Sequence, residues 1–260
     1  MDDEILYTVE AGIGTITLNR PQARNALTFA MYERLAAICS DPAAHGAPKV
    51  LIVTGAGDKA FAAGTDIAQF RSFASPQDAL DYEEKIDRVI TAIERCPVPM
   101  IAAISGAVTG GGASIACACD IRIATPTARF GFPIARTLGN CLSMANHARL
   151  AALLGPARVK DIVFTARLME AEEGHRVGLY SEIVADHAAL MSRARELATT
   201  IAGHAPLTMR ATKEALRRLT AATMPADGGD DLVVMCYDSA DFREGMEAFL
   251  GKRTPNWQGR

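Results

Sequence analysis

The chain has one tryptophan, an aromatic share of 6% and no run of basic residues. A nucleic-acid binder needs a cationic stripe and stacking faces, so that class of partner is excluded. No apolar stretch reaches the roughly 20 residues that cross a bilayer, and no membrane partner is expected. The start, Met1-Asp2-Asp3-Glu4, is acidic and lacks the charged-then-apolar pattern of a signal peptide, which predicts a cytoplasmic protein. Cys39, Cys96, Cys117, Cys119, Cys141 and Cys236 form no CxxC pair and lie mostly among apolar neighbours, as reduced buried thiols do. The histidines are scattered without ligand spacing, so no metal is expected.

What is present is a chain of 260 residues, 49% hydrophobic and 22% charged, with a net charge of -3. That suits one large domain, or a domain with a smaller appendage. Ile5 to Glu10 and Gly14 to Leu18 flank Gly12 as a hairpin. The polar loop Asn19 to Thr28 follows, and Thr28 can cap a helix to about Ser40. Val50 to Thr54, Met100 to Ser105 and Ile121 to Ala124 are continuous apolar runs of the kind buried on both faces. Ser75-Pro76 opens a long helix to about Arg95, with Leu80, Ile86, Val89, Ile90 and Ile93 at helical spacing. From about Ser143 the pattern is helical, with helices predicted over 143–154, 156–165, 170–176, 187–203, 207–221 and 231–250. The shift predicts an α/β core followed by a helical portion, with no internal repeat in the sequence and an exposed loop at Pro225 to Asp231.

Two glycine-bearing segments stand out, Phe61 to Ile67 and Gly106 to Asp120. Each looks like a strand end turning through glycine into a helix start. Helix starts carry N–H groups with no intrahelical partner and the positive end of the dipole. Two such ends aimed at one point would hold a developing oxyanion, which points to carbonyl chemistry.

At these residues the chain resembles the crotonase family, also called the enoyl-CoA hydratase/isomerase superfamily. The likeness runs from Leu18 to Leu27 through Ala60 to Ile67 and the Gly110 run. It continues through Ala128 to Pro133 and Gly178 to Val184, and ends in Asp241 to Arg253. The resemblance implies an α/β spiral of ββα units, with residues 1–195 as the acyl-CoA-binding core and 196–260 as a helical trimerisation region. It implies a homotrimer or a dimer of trimers, an acyl-CoA thioester as substrate, and no permanently bound cofactor. The shared step is a thioester enolate held by two backbone N–H groups, which by motif position belong to Thr65 and Gly111. For the coenzyme it implies backbone contacts near Ala63 and Ile67, with Asp66 and Gly110 beside them. Phosphates would meet Arg24 and also Lys252, the latter from the same or a neighbouring subunit. Asp66 is also suited to capping a helix, and Asp120 to a structural role.

The chain departs from the family at the two glutamates of a typical hydratase. Their positions hold Ser114 and Ile134. Adding water across a double bond requires water activation and proton delivery to carbon, a task for paired carboxylates. The backbone half of the machinery remains and the familiar acid–base half is lost. Candidate replacements are Arg136 and Cys141, the thiol gaining acidity near a helix start. Asp81, Glu83, Glu84 and Asp87 are further candidates, although so many charges on one helix usually mark a solvated face. His147 is read as a packed or exposed histidine. Decarboxylation or retro-Claisen cleavage suits such a site, because bond cleavage itself makes the enolate. The alternatives are a hydratase with substitute groups and a CoA-thioester binding protein without activity. A serine protease of related fold would need a partner for Ser114 that the sequence does not show.

Overall fold

In the computed structural model, which describes residues 4–73, 75–225 and 228–260, paired strands feed two sheets. β1 (Ile5–Glu10) and β2 (Ile13–Leu18) form the expected antiparallel hairpin. Ala11 and Gly12 both take positive φ at its turn, which matches the right-handed twist of the strands. β3 (Val50–Gly55) is followed by β4 (Ala60–Ala62), β5 (Met100–Ile104) by β6 (Ala107–Thr109), and β7 (Ile121–Ala124) by β8 (Arg129–Gly131). Two short strands, β9 (Met169–Glu170) and β10 (Glu182–Ile183), complete the set. The larger sheet runs β1-β2-β3-β5-β7-β10 and the smaller β4-β6-β8-β9. β3, β5 and β7 therefore each hand the chain to a short strand of the other sheet. Gly106 shows why glycine is needed at such a crossing: its φ is +66°, and a Cβ there would sit 2.1 Å from the Lys59 carbonyl oxygen.

A helix closes each unit. α1 (Phe29–Ser40) follows the hairpin, with Thr28 accepting from the Met31 amide as its cap. α2 (Pro76–Arg95) follows β4, α3 (Gly111–Ala118) follows β6, and the short α4 (Ile134–Thr137) follows β8. The spiral of strand–strand–helix units is thus a repeat of structure that the sequence does not display. Then come α5 (Met144–Leu154), α6 (Pro156–Phe164), α7 (Ala171–Arg176), α8 (His187–Ala202), α9 (Pro206–Ala221), α10 (Asp230–Tyr237) and α11 (Ala240–Leu250). The single helix predicted over 231–250 is two, because Ser239 recaps the chain by accepting from the Phe242 amide at 3.0 Å. Of the predicted loop 225–231, Ala226 and Asp227 lie outside the described residues, as do Met1, Asp2 and Asp3 of the acidic start.

β3 explains its own composition. Leu51 and Val53 join the main core with α1, α2 and α3, while Val50 and Ile52 pack on the opposite face against Leu190, Ala194 and Ala198 of α8. Both faces are covered, so the strand is apolar throughout. Residue 195, the expected division between core and helical region, falls inside α8, and Leu190, Ala194 and Ala198 of that helix pack on the larger sheet. The next helix, α9, buries no residue. Asp120 has the structural role expected of it: its carboxylate accepts from the Met100 amide and from Lys213 of α9. A third cluster, including Phe70, Leu138, Tyr237 and Phe242, draws α10 and α11 against α2 and the 3-10 turn Ile67–Ser72. No described helix is long and apolar enough to cross a membrane.

Candidate active site

A cavity of about 430 Å³ lies where the two glycine segments meet. Thr65 lines it from the first and Gly111 from the second. The segments touch backbone to backbone, since a Cβ on Gly110 would come within 3.4 Å of the Gly64 Cα. Gly110 makes this approach with φ +51° and ψ -124°, a conformation open to glycine. Gly111 is the first residue of α3, so its N–H has no intrahelical acceptor. The bridge between Leu27 and Thr65 uses the Gly64 carbonyl and the Asp66 amide, and leaves the Thr65 amide out of the pairing.

Side chains hold this corner from behind. A chain of hydroxyls links Tyr32 to Thr65 at 2.9 Å and Thr65 to Tyr82 at 3.0 Å. Tyr32 is wholly buried, and burial pushes its phenol well above the usual range, so it stays neutral. Its oxygen rests where a Gly111 Cβ would be, 1.9 Å away, so glycine at 111 leaves room for Tyr32 as well as for a ligand.

The first polar loop brings Arg24 to the cavity. Arg24 and Asn25 both adopt left-handed φ, 51° and 56°, a strain of order 1 kcal/mol or more each for such residues. Buried Asn25 offsets it by donating to the Ala56 and Ala60 carbonyls and accepting from the Arg20 amide. Arg24 in turn accepts the Ala63 amide through its carbonyl, which ties the loop to the first glycine segment. Arg24 is exposed and is the one basic residue among those lining the cavity. Ala63, Asp66, Ile67 and Gly110 line it too. Asp66 caps the following turn through the Ala68 amide and pairs with Arg20 at 3.0 Å.

Ser114 and Ile134, which the resemblance matches to two glutamates, both line the cavity, and neither is an acid. Ser114 is buried, and its hydroxyl bonds back to the Gly110 carbonyl at 3.4 Å. Ile134 is part of an apolar wall with Leu138, Ile86 and Phe70. Of the proposed replacements, Arg136 is exposed on α4 and absent from the lining. Lys252 is likewise exposed, beyond the end of α11, and lines nothing here. Cys141 does reach the cavity, but not as an activated thiol. It precedes the Ser143 cap of α5, donates to the Leu232 carbonyl at 3.5 Å, and has its pKa raised by its bond to Cys236 and by burial. His147 lies on α5 outside the lining, its pKa lowered by burial.

The solvated-face reading of α2 holds for Asp81 and Glu84 and fails for Glu83. Glu83 is only 8% exposed and lines the same cavity as Thr65 and Gly111. Tyr237 of α10 donates to its Oε1 at 2.5 Å, and Asn140 donates to the Tyr237 oxygen at 3.1 Å. Burial raises the Glu83 carboxyl to about 7; the Tyr237 bond opposes the shift and the Asp87 charge adds to it. The group is therefore poised between acid and base near neutrality. A sequence signal was available: Glu83 stands in step with Ala79, Ile86, Ile90 and Ile93, on the buried stripe of α2. Asn140 also lines the cavity, and its buried Oδ1 has no partner among the described residues.

Residues 8–260 match the enoyl-CoA hydratase/isomerase family. The chain is 33% identical to crotonyl-CoA hydratase of Syntrophomonas wolfei, over 98% of each chain. It is 31% identical to short-chain-enoyl-CoA hydratase of Clostridium acetobutylicum, over 96% of each. Its fold is similar to that of a methylmalonyl-CoA decarboxylase in complex with 2-nitronate-propionyl-CoA, with a TM-score of 0.88, 29% identity and 98% of each chain covered. Sequence and fold agree, and the chain belongs to the enoyl-CoA hydratase/isomerase family.

Proposed function

We propose that the chain binds an acyl-CoA thioester in this cavity and stabilises its enolate at the backbone N–H groups of Thr65 and Gly111. The observation that carries the reading is the contact of the two glycine segments at one cavity wall, with Gly111 at a helix start. Negative charge collecting on the thioester oxygen would meet N–H groups and the dipole of α3 in a largely apolar cavity. Each donor of such a pair is worth on the order of 3 kcal/mol at the transition state. Coenzyme A enters with the substrate, Arg24 meeting a phosphate and the Ala63 to Ile67 backbone meeting the coenzyme.

The reaction best supported is decarboxylation, or cleavage of the bond beside a β-keto group. In both, the breaking carbon–carbon bond leaves its electron pair as the enolate, and paired glutamates are not required. Ser114 and Ile134 fit that requirement. Hydration is the second reading, and the names of the two hydratase relatives favour it. Purified protein should be assayed with crotonyl-CoA and with a panel of malonyl-type and β-keto acyl-CoAs. Turnover is expected on the panel and slow hydration of crotonyl-CoA. Fast crotonyl-CoA hydration would reverse that order, and tight binding without turnover would leave a binding protein. The bare apolar side chains Leu207, Leu216 and Leu219 on α9 support assembly into a trimer or a pair of trimers, which sedimentation measures.

A further inference from the structure

We infer that Glu83 is the catalytic residue that exchanges a proton with the acyl α-carbon, and that Tyr237 and Asn140 position it. The inference rests on the enolate reading above and adds the group that the absent glutamates would have supplied.

Three observations carry it. Glu83 shares a cavity with the residues proposed to hold the thioester oxygen. Its neighbour on α2, Tyr82, is fastened to Thr65 by the hydroxyl bond at 3.0 Å, so the helix that carries the carboxyl is keyed to the oxyanion corner. Third, the carboxyl is held at one oxygen only. Tyr237 occupies Oε1, and no donor among the described residues reaches Oε2. A buried acid with no functional use would cost stability without return, as burial penalises its ionised form. The groups electrostatically linked to it are Asp87 and Tyr82 on its own helix, Tyr32 of α1, Cys141 before α5 and Tyr237 of α10. No positive charge in that set would hold Glu83 permanently ionised.

The step balances without a further reactant. With a malonyl-type ester, which carries a carboxylate on its α-carbon, the bond from the α-carbon to the carboxylate breaks, CO2 leaves, and the electron pair passes into the enolate. Neutral Glu83 gives its proton to the α-carbon, and the carboxylate that forms keeps the Tyr237 hydrogen bond. Water then returns the proton. With a saturated ester the reverse half operates: ionised Glu83 removes an α-proton and the enolate forms at Thr65 and Gly111.

The test uses the full chain in D2O with butyryl-CoA, following α-deuteration by NMR, alongside turnover of the ester panel and acyl-CoA affinity. Glu83→Gln is expected to slow exchange and turnover by about 100-fold or more. Acyl-CoA affinity should stay within about three-fold, as expected if the oxyanion corner is intact. Glu83→Asp should restore part of the rate. Tyr237→Phe removes a bond that favours the carboxylate, so the pH at which rate changes with Glu83 ionisation should move upward; a purely structural role would leave it in place. Exchange by Glu83→Gln within about three-fold of wild type would overturn the assignment while leaving acyl-CoA binding and the enolate reading intact. A wild type that binds acyl-CoA yet neither exchanges nor turns over any ester would overturn it too. If the wild type binds no acyl-CoA, the enolate reading falls and this one falls with it.

Discussion

Two sets of groups meet at the cavity, one of main chain and one of side chains, the latter backed by Tyr237 from outside the lining. Thr65 and Gly111 would act through main-chain N–H groups, placed by glycine conformations and a helix start. Glu83, Tyr237 and Asn140 would act through side chains brought from α2, α10 and the segment before α5. A main-chain donor has no side chain to lose and is disturbed only when an added group shifts the backbone, as a Cβ at Gly111 would. A side-chain acid, by contrast, is lost with a single substitution at its own position. The two halves of such a site therefore differ in how a substitution reaches them. In this chain the halves are also mechanically joined, because Thr65 bonds to Tyr82, next to Glu83.

The largest effect expected of a single added carbon is at the main-chain half. Gly111→Ala places a Cβ 1.9 Å from the Tyr32 hydroxyl, a collision that must displace α3 or the Tyr32 ring. Turnover should drop on the order of 100-fold, the scale of losing one oxyanion donor. Tyr32→Phe removes the offending atom and leaves the next Tyr32 atom at 3.2 Å, so the double variant should regain much of the loss. A cycle of the four proteins by kcat/KM measures this, and additive effects would show that Tyr32 is not what limits Gly111.

The side-chain half should reveal itself in stability against pH. Glu83 has an ordinary carboxyl value of 4.5 in the unfolded chain and about 7 in the fold. Between those values the folded chain retains a proton that the unfolded chain has released. Stability therefore falls as pH rises through this window, and the penalty is complete above about 7. Glu83→Gln lacks the penalty, worth at most on the order of 3 kcal/mol. Its melting temperature should exceed that of the wild type at pH 8, and the gap should shrink as the pH is lowered through the same window. A gap that ignores pH would mean that Glu83 does not titrate there.

The smallest effects sharpen the comparison at the rim. Arg24→Ala should weaken acyl-CoA binding by up to about five-fold, the range of an exposed charge contact. Arg136→Ala and Lys252→Ala should change it by less than about two-fold, because both side chains stand outside the cavity. Equal weakening by Lys252→Ala would show that this lysine reaches the site of a neighbouring subunit.

Much of the fold was legible because local chemistry encodes it. Thr28, Ser75 and Pro76 announce helix starts, and the apolar runs of β3, β5 and β7 announce strands with both faces covered. The glycine segments announce the cavity corner, since positive φ and close backbone approach demand glycine wherever they occur. Glu83 was written into the buried stripe of α2 but masked by Asp81, Glu84 and Asp87 around it, because charge alone does not say which face is wet. The break at Ser239 was hidden for a similar reason, a capping serine being unremarkable within an apolar helical pattern.

By itself the sequence determined the long strands β1, β2, β3, β5 and β7, most helix starts, the family and the two glycine segments, all of them set by contacts among near neighbours or by conformations that few residues can adopt. Tertiary structure alone decided that Tyr237, 154 residues away along the chain, donates to Glu83, and that Arg136 and Lys252 are not among the lining residues of the cavity. Those facts depend on how α10 and α11 fold back over α2. Packing between distant elements, rather than any local preference, chooses which side chain meets which, and burial then decides which carboxyl keeps its proton.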